Sequence, residues 1–134
     1  RVDCRYCHTG VADGRHAVVP STSVCMNCHA VASVKDSVLI EPLLAANEAG
    51  TPLRWNRIHR LPEFVYFAHQ VHIARDIPCE TCHGQIAEMN VARQAMPLSM
   101  SYCLDCHRNS HEYLPTQTAR SRPVGPENCG ACHR

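Results

Sequence analysis

Aromatic side chains are scarce in this sequence: one Trp, four Tyr and two Phe in 134 residues, or 5%. Large rings normally supply much of the buried area of a small domain, so something other than these side chains has to fill the interior. Lysine is nearly absent, Lys35 standing alone beside twelve arginines, and the net charge is +1. That balance excludes a broad basic surface and with it nucleic acid as a partner. No apolar run approaches the roughly 18 residues of a membrane span. No serine, histidine and acid arrangement and no phosphate loop is present, so no catalytic site is expected. Arg1 opens the chain without a methionine or a signal-like segment, and Cys4 follows at once. The chain reads as processed or truncated, and any leader, anchor or ligand upstream lies beyond what these residues can show.

What the chain does have is ten cysteines and ten histidines. Every cysteine falls in one of five pentapeptides: Cys4-Arg5-Tyr6-Cys7-His8, Cys25-Met26-Asn27-Cys28-His29, Cys79-Glu80-Thr81-Cys82-His83, Cys103-Leu104-Asp105-Cys106-His107 and Cys129-Gly130-Ala131-Cys132-His133. Pair spacing alone does not separate the chemistries. Cys7 and Cys25 enclose 17 residues and Cys82 and Cys103 enclose 20, both suited to a zinc ribbon. The histidines decide. With ten in 134 positions, finding one after all five pairs by chance has a probability of about two in a million. Neither a four-cysteine zinc site nor a disulfide framework needs a histidine there. Attachment of c-type haem does: two thiols bond to the two vinyl positions of one porphyrin, and the adjacent imidazole binds iron from one face. Five haems c are predicted, with His8, His29, His83, His107 and His133 as proximal ligands.

Five irons then need a sixth ligand, and five histidines remain: His16, His59, His69, His72 and His111. In "FVYFAHQVHIARDIPCETCH" His69 and His72 stand three apart in a segment that can be helical, so they project from one face. Two side-by-side imidazoles serve different irons. His69 lies fourteen residues before His83, enough chain to fold back over the same ring, and is assigned there. His111, one helical turn beyond His107, should reach a neighbouring haem, and His16 and His59 are candidates without a preferred iron. Met26, Met89, Met96 and Met100 could also ligate but are more simply read as packing. Histidine on both faces closes an iron to substrate, so such a centre only passes electrons, at lower potential than a methionine-ligated one.

At about 27 residues per haem, the polypeptide is a thin wrapper around a five-haem core, mainly α with extensive irregular coil. It forms one domain over 1–134: a two-haem part at 1–32, a helix and linker at 33–58, and a three-haem part at 59–134. A helix is predicted from Asp36 to Ala49, kinked or broken at Pro42 and stopped by Gly50 and Pro52. The apolar stretch from Trp55 to Phe67 should pack on haem faces or a partner subunit, and 113–128 is a loop. Ten propionates would carry the charge from +1 to about −9, making Arg5, Arg75 and Arg108 natural partners.

"FAHQVHIARDIPCETCHG" resembles the Phe-x-His-x-x-His element ahead of a haem motif in class III, cytochrome c3- and c7-like, multihaem cytochromes. "WNRIHRLPEFVYFAHQVH", "PSTSVCMNCHAV" and "MSYCLDCHR" resemble the pentahaem subunits of alternative complex III, a bacterial menaquinol-oxidising membrane complex. The resemblance covers most of the chain and is most specific between Trp55 and Arg108. It implies that all five motifs carry haem, with His69 and His72 as distal ligands to separate haems. It further implies an electron relay between partner subunits, fed indirectly by quinol, and an outer acceptor such as a cytochrome or copper protein. Family members carry an N-terminal anchor and an upstream His-x-x-His segment that this chain does not show, which leaves distal ligation of the first haem open. A freely diffusing periplasmic carrier is the alternative function. A multihaem reductase is the third, disfavoured because no motif replaces its histidine with lysine. Haem attachment of this type places the protein in the periplasm or on the extracytoplasmic face of the membrane.

Overall fold

The computed structural model describes residues 2–31, 38–114 and 125–134, leaving out the side chain of His111. Among the described residues it holds eight short α-helices joined by irregular chain, with no named strand. They are α1 (Cys4–Cys7), α2 (Thr22–His29), α3 (Glu41–Glu48), α4 (His69–Ile73), α5 (Cys79–His83), α6 (Met100–Arg108), α7 (Ser110–Tyr113) and α8 (Cys129–Cys132). Helices this short are not stable alone in water, and their own packing adds little. Among the described residues the buried apolar side chains are Val11, Leu43 and Leu114, and the accessible surface is 9927 Å². A compact monomer of this mass, 14.9 kDa, would expose about 7,000 Å². The polypeptide thus makes almost no core of its own, as the lack of aromatics leads one to expect.

Local chemistry sets the helix ends. Asp3 accepts a hydrogen bond from the Arg5 amide at 2.8 Å and starts α1; Ser99 does the same for Tyr102 at 3.2 Å and starts α6. Gly84 ends α5 with φ 66 and ψ −168, a conformation open essentially to glycine alone. The linker helix is shorter than expected. Pro42 sits in the first turn of α3, where a missing N–H costs nothing, so the proline begins the helix and does not kink it. Positions 36 and 37 of the expected helix lie outside the described residues. Gly50 follows at φ 64 as the stop.

Two further expectations change. His107 and His111 do not share one helix: Asn109, at φ −124 and ψ 45, separates α6 from α7. The expected loop at 113–128 begins one residue later, since Tyr113 closes α7, and most of it lies outside the described residues. Arg5, Arg75 and Arg108 are exposed, and carboxylates already hold two of them, Asp3 at 3.2 Å and Glu127 at 2.8 Å.

Long-range ties converge on residues 64–70. The amides of His69 and Gln70 open α4 by donating to the carbonyls of Arg15 (3.4 Å) and Gly14 (3.2 Å), which satisfies helix donors that have no partner within the helix. Tyr66 N–H donates to the Cys132 carbonyl and Arg134 N–H to that of Phe64 at 3.3 Å, giving an isolated antiparallel bridge between Val65 and His133. The guanidiniums of Arg15 and Arg134 lie 4.2 and 4.4 Å from the centre of the Tyr66 ring. One phenol therefore clamps the first motif region to the last.

Candidate functional site

Each Cys-x-x-Cys-His motif lies on or at the end of a helix: α1, α2, α5, α6 and α8. Cysteines three apart and a histidine one further occupy positions i, i+3 and i+4, which share a helix face. Two thiols and an imidazole can therefore meet one planar group from the same side. No disulfide links any of the ten cysteines, and among the described residues no three or more Cys, His, Asp or Glu side chains converge to hold a metal ion. Burial pushes Cys82 up to about 11, and burial likewise raises Cys79, Cys103 and Cys106. Burial in apolar surroundings keeps these four thiols protonated and so disfavours a metal-binding thiolate.

The imidazoles are oriented through one nitrogen. Nδ1 of His8 meets the Val18 carbonyl at 2.8 Å, that of His69 meets Arg15 O at 2.9 Å, that of His72 meets Ala68 O at 2.9 Å and that of His107 meets Pro126 O at 2.7 Å. A carbonyl only accepts, so Nδ1 carries the hydrogen in each ring and Nε2 keeps the lone pair a metal requires. Burial holds His83 down at about 4 and also lowers His72, so both are neutral at physiological pH. The donor set fits c-type haem at these positions.

The pairing of rings is specific. His69 and His83 lie with centroids 6.5 Å apart and planes 12° apart; His72 and His107 lie 6.2 Å apart at 26°. Two imidazoles bound to one metal from opposite faces, each nitrogen about 2 Å away, have ring centres about 6 Å apart. His72 is also stacked on Phe67 at 4.5 Å, which fixes its plane. His59 is placed differently: its Nε2 lies 3.3 Å from Nδ1 of His83, the ring edge-on at 75°. His16 is exposed. His133 stacks on Phe64 at 5.8 Å, and Nδ1 of His29 is buried without a hydrogen-bond partner. Among the described residues no second imidazole is stacked on His8, His29 or His133.

Motifs touch in an order different from their order in the chain. Asn27 of the second donates to the Tyr6 hydroxyl of the first at 3.0 Å. Cys4 of the first and Cys79 of the third line one cleft of ≈ 480 Å³. The Tyr102 hydroxyl, beside the fourth, donates to Thr81 O of the third at 2.6 Å. Cys132 of the fifth is near enough to Cys103 of the fourth to help raise its thiol pKa, after burial. In space the motifs run second, first, third, fourth, fifth.

Residues 65–134, which hold the last three motifs and the α4 histidines, match the family described as cytochrome c7 and related cytochrome c. The chain belongs to the cytochrome c7 family. As a member of that family it is a multihaem cytochrome with haem c as cofactor, and its work is electron transfer. It is also 23% identical over 154 aligned residues to the "menaquinone reductase, multiheme cytochrome c subunit" of Nitratidesulfovibrio vulgaris, a match covering 99% of this chain and 70% of that protein. Sequence reasoning did not find the orienting carbonyls of Arg15, Val18, Ala68 and Pro126, because every residue carries a carbonyl and nothing in its side chain marks it. Nor did it find the Tyr66 clamp, which depends on two arginines distant in the chain.

Proposed function

We propose that this chain is a five-haem electron relay within a quinone-linked membrane complex of the alternative complex III kind, on the extracytoplasmic side. When bound, each haem iron supplies a one-electron couple. The chain's own residues do the rest. Cys4, Cys7, Cys25, Cys28, Cys79, Cys82, Cys103, Cys106, Cys129 and Cys132 tether the rings, and His8, His29, His83, His107 and His133 bind from the proximal side. His69 faces His83, and His72 faces His107, as distal ligands to separate irons; His16 is a candidate without a preferred iron, and His111 one for an iron neighbouring that of His107. Carbonyls on Nδ1 hold the ligand planes and strengthen the imidazoles as donors. The irons of His83 and His107, closed on both faces, leave no place for substrate, and no catalytic residue is proposed in this chain.

The observation that carries the reading is the pair of opposed imidazoles at 6.5 and 6.2 Å. Membership in a complex is supported by the similarity to a menaquinone reductase subunit. It is supported too by apolar side chains left in solvent in the stretch from Trp55 to Phe67, Trp55 at 60% and Phe64 at 61% exposure. The Nitratidesulfovibrio protein is named for quinone reduction, whereas an alternative complex III-like assembly oxidises menaquinol; a chain of closed irons conducts either way, and the partners set the direction. The test is purification of the native assembly followed by mixing with a menaquinol analogue. Rapid reduction of all five haems in the assembly, and none in the isolated chain, is the expected result. A monodisperse isolated chain that accepts electrons only from soluble donors would favour the diffusing carrier.

A further inference from the structure

His83 differs from the other oriented histidines in what its Nδ1 meets. His8, His69, His72 and His107 each donate to a main-chain carbonyl, whereas Nδ1 of His83 lies 3.3 Å from Nε2 of His59. With Nε2 of His83 given to iron, its Nδ1 must carry the hydrogen, so Nε2 of His59 must accept it. The near-perpendicular arrangement, 75° with centroids 4.4 Å apart, suits an N–H in the plane of one ring aimed at the other. His59 is only partly exposed, and its main-chain carbonyl accepts from Arg57 Nε at 3.2 Å, which steadies the segment that presents it.

We propose that His59 is a positioning residue for His83, an imidazole acceptor that sets the donor strength of that ligand and so the potential of the third-motif centre. The inference rests on the haem reading above. An imidazole nitrogen is a stronger base than an amide oxygen and draws the Nδ1 hydrogen further from His83. The ligand ring becomes more electron-rich and favours the oxidised iron, which lowers the potential. By motif contacts the third motif lies in the middle of the series, where a lowered potential separates the two ends of the relay.

The experiment uses the full haem-loaded protein and compares His59→Leu, His59→Gln and the native chain by redox titration with spin-state spectroscopy. His59→Leu is expected to keep five attached haems and unchanged spin states while one centre, the one that His69→Ala opens, shifts to higher potential. His59→Gln, whose amide oxygen can accept the same hydrogen, is expected to recover most of the shift. In the reduced native protein the Nδ1 proton of His83 is expected to show a nuclear Overhauser contact to the His59 ring, which decides the matter even if the Leu variant does not accumulate. A new high-spin iron in His59→Leu, an unshifted titration, or no contact in the native spectrum would overturn the proposal. Failure of the underlying haem reading would look different: the native protein itself would lack haem at Cys79 and Cys82.

Discussion

The three-motif region from residue 65 onward and the two-motif region from 2 to 31 are built from the same pentapeptide, yet they hold their histidines differently. In the later region two of three proximal imidazoles have a second ring opposite, at 6.5 and 6.2 Å. In the earlier one, His8 and His29 have none among the described residues. The difference traces to α4, a single turn that presents His69 and His72 three apart and so sets one ring opposite His83 and the other opposite His107. The earlier region contributes in another way: its Gly14 and Arg15 carbonyls hold the start of α4, and Arg15 O also takes Nδ1 of His69. Attachment motifs alone do not complete a centre; an element that carries the opposing ligands has to be docked and oriented.

The largest expected break in that comparison comes from the ligands themselves. His69→Ala and His72→Ala should each turn one haem in five from low spin to high spin, read by electron paramagnetic resonance, and each should raise the potential of that centre. His16→Ala should leave both of those centres untouched. A second test compares glycines. Gly84→Ala places a Cβ 2.6 Å from that of Ala95 at φ +66, while Gly50→Ala at φ +64 meets nothing within 4 Å. The first should cost about 3 kcal/mol or more and the second about 1 kcal/mol, measured by denaturation of the holoprotein.

The join between regions offers a smaller effect. Tyr66→Leu removes the ring between Arg15 and Arg134 and should destabilise by about 1 to 2 kcal/mol, whereas Tyr66→Phe keeps the ring face and should change little. Smallest is Tyr102→Phe, which loses the bond to Thr81 O and should cost about 1 kcal/mol. An equal loss from Tyr66→Phe and Tyr66→Leu would show that the phenolic hydroxyl, not the ring face, makes the clamp.

Much of the site could be read directly because spacing carries its chemistry. Cys, Cys and His at i, i+3 and i+4 share a face wherever the motif is helical, and His69 with His72 share one for the same reason. The assignment of His69 to the ring of His83 followed from chain length, and the structure brings those two imidazoles together. The part that could not be read is what lies between distant segments. His72 opposite His107, Arg15 beneath His69 and His59 beside His83 depend on how α4 and the linker fold back, and no local period encodes that. The fold class was legible from the motif count: at about 27 residues per haem, the polypeptide has room for little more than short helices and coil around that core. The linker helix was misjudged because Pro42 reads as a break within a helix until the start of that helix is known.

The central claim is that all five pentapeptides hold a covalently attached haem. Intact mass measurement of the acid-denatured protein, isolated from cells able to attach haem, tests it most directly. The account predicts a single species at the mass of the polypeptide plus five haems; the mass of the bare chain, or of one with bound metal and ten free thiols, would contradict it.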